Sequence, residues 1–223
     1  FSLLASRFSL LVCKHPLARN DPIPYLLPPM PTRKTLLDAT AQLFAELGWR
    51  GTTTRRIAEL AGVNEVTLFR KFGSKESLLV EAVRCQAAGA MQDRLPAKPA
   101  DLRAELLTWA TAHHGHLHER SGMIRTCLAE FEEHPELAPV ATEGAERTMG
   151  DMLRYLGEAR RLGLIGQEGS LEAATVMLMN ALFMDAITRD VLPGCGLVTP
   201  GDAVAAFVDH TLRALAVETG AHN

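Results

Sequence analysis

The chain has 223 residues, of which 47% are hydrophobic and 22% charged, a composition typical of a folded globular protein rather than a disordered one. Its four cysteines are widely spaced with no CxxC or CxxH pattern, which argues against a disulfide scaffold and a structural zinc site. The net charge of −3 is unevenly spread: residues 31–80 hold eight Lys and Arg against five Asp and Glu, and residues 81–223 hold twelve against twenty, so any contact with a polyanion is expected in the first segment.

The first 31 residues differ from the rest of the chain. An apolar stretch over residues 1–13 contains an arginine, and six prolines between Pro16 and Pro31 forbid a continuous helix after it. A secretory signal has basic residues before its apolar core, whereas here they lie within and after it. We expect residues 1–31 to be a disordered N-terminal extension, with Met30 as an alternative start. No apolar run approaches the roughly 20 residues that cross a bilayer, so we expect a cytoplasmic protein without a membrane segment.

From Arg33 onward the pattern is helical. Apolar residues recur at helical spacing, and glycines and prolines separate the segments. Thr53, Asn64 and Ser74 are suitable N-caps for three of them. No segment alternates between apolar and polar residues over a strand's length. The sequence therefore predicts an all-α fold of about nine helices, at residues 33–48, 54–61, 65–71, 75–91, 101–119, 123–133, 137–163, 170–191 and 201–218.

Residues 52–75 predict a helix-turn-helix. Two helices of two turns each are joined through Ala61-Gly62-Val63, and both are too short to be stable without neighbours. The second helix of such a pair enters the major groove, where its polar N-terminal residues can read base edges and Val66 can meet a thymine methyl. Thr53 and Thr54 add hydroxyl and free N–H groups that favour anions. Basic residues around this turn can neutralise phosphates: Arg33, Lys34, Arg55, Arg56, Arg70, Lys71 and Lys75.

This run resembles the DNA-binding domain of the TetR family of bacterial transcriptional repressors over about residues 33–80. The matching features are Gly51-Thr52-Thr53, Ile57-Ala58, Ala61-Gly62-Val63, Thr67-Leu68-Phe69, Phe72 and Ser74-Lys75-Glu76-Ser77-Leu78-Leu79. The family usually has tyrosine, whose hydroxyl contacts a phosphate, where this chain has Phe69. We predict DNA contacts from Arg33, Thr53, Thr54, Arg55, Asn64, Glu65, Val66, Thr67, Phe69, Arg70, Lys71 and Lys75.

The resemblance implies a DNA-binding domain at residues 32–80 and an effector-binding and dimerisation domain at 81–219. The segment Val176–Met184 is apolar nearly all round, and the last helix carries a second apolar stripe. Paired with their copies, these two helices would form a four-helix dimer interface. A ligand pocket is expected among the helices before them, although an apolar stripe at helical spacing is more often plain core than a ligand site. The candidates are Trp109, His113, Met123, Cys127, Phe131, Met149, Met152, Met177 and Phe183.

The remaining motifs point to no chemistry. His113, His114, His116 and His118 have helical spacing that could pair them, but no HExxH or third carboxylate accompanies them, so we interpret them as solvated and predict no metal and no cofactor. The acidic run from Glu130 to Glu136 is interpreted as a solvated face. No catalytic motif is present, so we predict no catalytic residues and no enzyme activity.

The sequence thus predicts a DNA-binding transcriptional regulator, a repressor that binds a palindromic operator as a homodimer and responds to a small-molecule effector. The alternative is a helical small-molecule- or metal-binding protein without DNA function, favoured by Phe69 and the acidic net charge. The effector, the operator and the choice between repression and activation do not follow from the sequence.

Overall fold

The structure is a computed structural model that describes residues 32–88, 95–192 and 198–216. The prediction for residues 1–31 lies outside them. The described residues form an all-α fold, as predicted, without strands. Its nine α-helices, with a 3₁₀ turn at Pro135–Leu137 before α7, are α1 Arg33–Gly51, α2 Thr54–Ala61, α3 Glu65–Phe72, α4 Lys75–Ala88, α5 Leu102–Glu119, α6 Ser121–Glu130, α7 Ala138–Arg161, α8 Leu171–Thr188 and α9 Pro200–Ala214.

The helix boundaries agree with the predicted ones to within about four residues. The clearest differences are found in α6, which begins at Ser121 and ends at Glu130 rather than at 123 and 133, and at the ends of α8, at Thr188 rather than 191, and α9, at Ala214 rather than 218. The predicted stop at Gly48 is a real interruption, since Gly48 takes a left-handed φ of 67°, but helical backbone resumes and α1 ends at Gly51. Thr52 then closes the helix by donating its backbone N–H to the carbonyl of Gly48. The predicted end of the fourth helix, at residue 91, lies outside the described residues.

Three hydrophobic clusters hold the helices together. One lies within the helix-turn-helix region and its neighbours, around Leu36, Ile57, Leu68 and Leu78. A second contains Phe44, Trp49, Leu79, Val83, Cys127, Leu137 and Val140. This second cluster joins α1 and α4 to α6 and the start of α7, so the two predicted domains share buried apolar surface. The third and largest cluster is built from α5, α7, α8 and α9, with these fully buried side chains: Leu106, Met152, Leu156, Leu178 and Leu182.

Helix α8 corrects one expectation from the sequence. Its 18 residues have a mean hydropathy of 1.3, so by length and composition alone it could cross a membrane. The sequence reading missed this because Glu172 and Asp185 divide the apolar run without making the helix polar. In the structure α8 packs against α5, α7 and α9, and seven of its residues are buried. This is how a central core helix of a globular protein behaves.

Candidate functional site

Helix α3 is held by its buried face and leaves its other face open. The Asn64 side chain caps it by accepting the backbone N–H of Val66 at 2.9 Å, as predicted. The turn before it uses Gly62 in the left-handed conformation, with a φ of 66°. Leu68 and Phe72 anchor α3 in the core, whereas Val66 is 70% exposed. The N-terminal turn of α3 is therefore presented to solvent on a rigid support.

The carboxylate of Glu65 does not stand alone at the tip of α3. The hydroxyl of Thr54, at the start of α2, donates a hydrogen bond to it at 2.8 Å. Both side chains are only partly exposed, while Asn64 beside them is exposed. This bond ties the starts of the two helices together. It also fixes the direction of a carboxylate that could accept from a cytosine amino group.

The basic side chains around α3 fall into two groups. Arg33 forms two hydrogen bonds with Glu81, at 2.7 and 2.5 Å, and Arg55 pairs with Glu59 at 2.9 Å. In contrast, Arg70 and Lys71 at the end of α3 make no ion pair with the described residues. Arg70 and Lys71 are therefore the cations that need break no existing pair to meet a phosphate.

Lys75, predicted to contact a phosphate, has a structural partner within the fold. Its ammonium donates to the backbone carbonyl of Trp49 at 2.6 Å and lies 5.6 Å from the centre of the Trp49 ring. Burial lowers the pKa of Lys75 from its ordinary value. This lysine therefore links the start of α4 to the end of α1, a role that the sequence reading did not include.

Trp49 is the centre of a junction that extends to α6. Its backbone N–H donates to Glu130 at 2.9 Å, and its ring stacks on His134 at 3.6 Å. Glu130, Glu133 and His134 also lie close enough to share a metal ion. Their polar groups are already engaged, however, because Glu130 accepts from Trp49 and Glu133 pairs with Arg50 at 3.0 Å. The predicted solvated face thus includes one glutamate, Glu130, that is partly buried and structural.

A cavity of about 340 Å³ lies between α4, α5, α6, α7 and α8. Its walls include six of the nine predicted pocket residues: His113, Met123, Cys127, Phe131, Met149 and Phe183. Burial lowers the pKa of His113 to about 4, so its imidazole is neutral. Burial also raises the pKa of the Cys127 thiol to about 11, so this sulfur is an inert wall atom.

The other three candidates lie elsewhere. Trp109 is buried in the largest cluster and stacks on His113 with 4.9 Å between ring centres, so it supports the wall from behind. Met152 is completely buried in the same cluster and does not line the cavity. Met177 is 70% exposed on the outer face of α8. Helical periodicity identifies these residues as apolar positions, but it does not distinguish a residue that lines a cavity from one in the core or on the outer surface.

Several wall residues were missed by the sequence reading. Val83, Gln86 and Ala87 belong to α4, which the sequence assigned to the link between domains rather than to the pocket. Arg120, at the break between α5 and α6, is a charged wall residue. The predicted break between the fifth and sixth helices could have indicated Arg120, because a side chain at a helix junction can face the space between the helices.

The histidine run is not solvated as predicted. His114 is 6% exposed, and its Nε2 lies 2.7 Å from a carboxylate oxygen of Asp185 on α8. Asp185 in turn pairs with Arg189, whose side chain is only 9% exposed. His118 lies 3.2 Å from the carbonyl of Ala186. The run therefore packs α5 against α8 with buried hydrogen bonds, while His113 and His116 line the cavity.

Comparison with known proteins identifies the family to which this chain belongs. The sequence profile of the bacterial regulatory proteins of the tetR family matches residues 36–82. The HTH-type transcriptional regulator YvkB of Bacillus subtilis is 32% identical over 148 residues, which cover 66% of this chain and 78% of that protein. The chain belongs to the TetR family. It is therefore a helix-turn-helix transcriptional regulator, and the alternative without DNA function is not favoured.

Two further comparisons show that similarity in sequence and similarity in fold extend over different lengths of this TetR-family chain. The repressor KstR2 of Rhodococcus jostii is 50% identical, but over only 52 residues, 23% of this chain and 26% of that protein. The solved structure of the regulator FadR of Bacillus subtilis, in complex with stearoyl-CoA, aligns with a TM-score of 0.67 at 17% identity. It covers 82% of this chain and all of that one. The fold is thus shared over 82% of this chain, whereas sequence similarity to KstR2 is confined to a short segment.

Proposed function

We propose that this TetR-family regulator is a homodimeric repressor that binds a palindromic operator and leaves it when a small molecule fills the cavity. The observation that carries the proposal is the course of α4. Only two residues separate the end of α3 from the start of this helix, and its later residues Val83, Gln86 and Ala87 form part of the cavity wall. One rigid element thus connects the candidate DNA-reading helix to the candidate ligand site.

The proposed DNA contacts follow from exposure and pairing. Asn64, Val66 and Thr67 would read base edges, because they lie on the open N-terminal turn of α3. Arg70 and Lys71 would bind phosphates, with Thr53 and Thr54 offering the N-terminus of α2. Arg33, Arg55 and Lys75 would also contact phosphates, although each must then share or leave its partner within the fold.

The proposed dimer uses the outer face of α8. Val176, Met177 and Met184 share this face and are exposed by 40%, 70% and 51%. Methionine side chains adapt well to a partner surface, and an apolar face of this kind favours association. In α9, Phe207 and Leu212 are partly buried against the core. Val204 and Val208 of α9, and Leu215 just after it, are buried within the protomer and so have no surface left for a partner. Dimerisation would set two α3 helices at the spacing of successive major grooves.

The division into a DNA-binding domain at residues 32–80 and a ligand and dimerisation domain at 81–219 remains part of the proposal. The shared cluster around Phe44, Leu79 and Cys127 supports a version in which the two parts move together across a limited interface. A ligand changes the DNA affinity only if it binds the two conformations unequally. The wall formed by α4 gives the ligand a surface through which it can do so.

Selection of bound duplexes from random DNA tests the DNA-binding half of the proposal. We expect an inverted repeat, and an affinity that falls steeply as salt rises because phosphates are neutralised. Two variants test the dimer: Met177→Asp should give monomers in analytical ultracentrifugation, whereas Leu164→Asp, at a 41% exposed residue in the connection between α7 and α8, should not. Selection of sequences without symmetry, or a dimer that survives Met177→Asp, would contradict the proposal.

A further inference from the structure

The charges around the cavity restrict what it can bind. Among the described residues, its wall contains no Asp, Glu or Lys, and Arg120 is its one charged side chain. Most of the other wall residues are apolar, including Leu117, Ile124 and Leu128. A buried organic cation would lose its hydration without gaining a carboxylate partner, which is costly. The wall therefore disfavours a cationic ligand and accepts a molecule that is mainly apolar.

Arg120 is poorly satisfied within the protein. Its guanidinium makes one long hydrogen bond of 3.4 Å, to the backbone carbonyl of His116, and no ion pair with a described carboxylate. Other arginines of this region are paired: Arg103 with Asp209 at 2.8 Å and Arg189 with Asp185. A guanidinium offers five donors in a planar fork that matches a carboxylate. The side chain thus has unused capacity for an anion at the edge of an apolar space.

His113 does not provide a second cation in the wall. His113 is neutral, since burial and the neighbouring His116 and His114 lower its pKa to about 4. His116, one turn before Arg120 on the same face of α5, has its Nδ1 buried without a hydrogen-bond partner among the described residues. A polar atom left in this state is unfavourable, and a polar ligand group close to Arg120 is the kind of partner that could satisfy it.

We propose that the cavity binds an amphiphilic monocarboxylate, with its carboxylate on the Arg120 guanidinium and its apolar body along α6 and α7. This inference rests on the proposed ligand-responsive function and names the chemical class of its effector. The volume of 340 Å³ is at the lower end of the roughly 300–1,000 Å³ found for ligand pockets, so a single short chain or a small ring system fits better than a large conjugate.

Three probes with one apolar chain and different heads test the inference on the full-length protein. Dodecanoate, dodecanol and dodecylamine, each below its micelle concentration or solubility limit, are titrated by calorimetry. We expect dodecanoate to bind at least about tenfold more tightly than dodecanol, because only its carboxylate can form an ion pair with two parallel hydrogen bonds to the guanidinium. We expect no measurable binding of dodecylamine. Equal affinity for dodecanoate and dodecanol, tighter binding of dodecylamine, or no binding of any probe would overturn the proposal.

Variants assign the effect to the residue. Arg120→Gln should lower the affinity for dodecanoate about tenfold and leave that for dodecanol unchanged, while Arg120→Lys should recover part of the loss. Arg154→Gln is the matched control, because Arg154 is exposed on α7 and does not line the cavity. An equal loss for both probes in Arg120→Gln would refute the head-group assignment. If that variant fails to fold, the comparison of the three probes on the unaltered protein still decides the question.

Binding and DNA release are measured separately, so that the two proposals can fail independently. Calorimetry without DNA tests the ligand class alone. Fluorescence anisotropy of a selected operator, with and without saturating dodecanoate, tests the ligand response. Tight binding of dodecanoate without loss of DNA affinity would leave the ligand class standing and contradict the proposed response. Release of the operator by dodecanol but not by dodecanoate would contradict the ligand class and preserve a ligand-responsive repressor.

Discussion

Lys75 allows a structural role to be separated from a DNA-contacting one. In Lys75→Met the apolar stem is kept, while the 2.6 Å hydrogen bond to the Trp49 carbonyl and the contact with the Trp49 ring are lost. A hydrogen bond from a charged donor contributes about 1.5–3 kcal/mol, and a cation over an aromatic face about 0.5–1 kcal/mol. The burial that lowers the pKa of Lys75 offsets part of this gain. We therefore expect the free energy of unfolding to fall by about 2 kcal/mol.

The assay combines urea unfolding with DNA titration. Unfolding of Lys75→Met and of the unaltered protein is compared at one protomer concentration, because dimerisation would add to the apparent stability. Lys71→Met is the control, since Lys71 makes no ion pair with the described residues and its loss should change the free energy of unfolding by less than about 0.5 kcal/mol. On DNA, the control should reduce the salt dependence of binding by about one phosphate contact.

The two variants should thus differ in stability: Lys75→Met should lose it, whereas Lys71→Met should keep it. An unfolding free energy for Lys75→Met that equals that of the unaltered protein would refute the structural role assigned to the Trp49 contact. A salt dependence reduced as strongly as in Lys71→Met, at unchanged stability, would leave Lys75 as a phosphate contact alone. Loss of both stability and salt dependence would mean that the ammonium, which has three donors, serves Trp49 and a phosphate together.

Three further predictions concern single side chains. Phe69→Tyr places a hydroxyl on a half-exposed ring of α3 and should raise operator affinity about fivefold if it reaches a phosphate, measured by anisotropy; unchanged affinity would remove this ring from the DNA interface. Thr67→Ala should cost about 1–3 kcal/mol on the selected operator and little on random DNA, and equal losses on both would show that Thr67 reads no base. His113 is neutral in the fold down to about pH 4 but titrates near pH 6.5 in the unfolded chain, which therefore binds the extra proton between these values. The free energy of unfolding should thus fall as the pH decreases through this range, by at most about 3 kcal/mol. His113→Gln should reduce that fall in unfolding experiments at several pH values, and an identical pH profile would contradict the buried neutral imidazole.

The parts of this molecule that could be predicted from sequence are those fixed by local chemistry. Thr53, Asn64 and Ser74 accept backbone N–H groups at the helix starts they were expected to cap, at 3.3, 2.9 and 3.1 Å. Gly62 is left-handed where the turn requires it. Such features depend on a few consecutive residues and on backbone conformation alone. The caps and the turn of the helix-turn-helix could therefore be predicted from the sequence residue by residue.

The parts that could not be predicted depend on which helix faces which. His114 looked like a surface histidine because nothing in its own helix reveals Asp185, which lies 71 residues away and 2.7 Å from its ring. The same limit applies to Met177, which has the apolarity of a core residue and the exposure of a surface one. Periodicity gives the face of a helix, but the partner of that face is a property of the tertiary structure.

The contacts around Trp49 suggest why ligand binding and DNA reading can be coupled over a short path. The cluster that contains Phe44, Trp49, Leu79 and Val83 joins α1 and α4 to α6, and Val83 also lines the cavity. Because packed cores move in discrete steps rather than deforming smoothly, a ligand that displaces α4 there must also change how α4 meets the end of α1. The bond from Lys75 to Trp49 spans that same contact. A variant that weakens the hydrogen bond from Lys75 to Trp49 should therefore lower the stability of the protein and also change the ligand's effect on DNA affinity. Lys75 itself does not line the cavity.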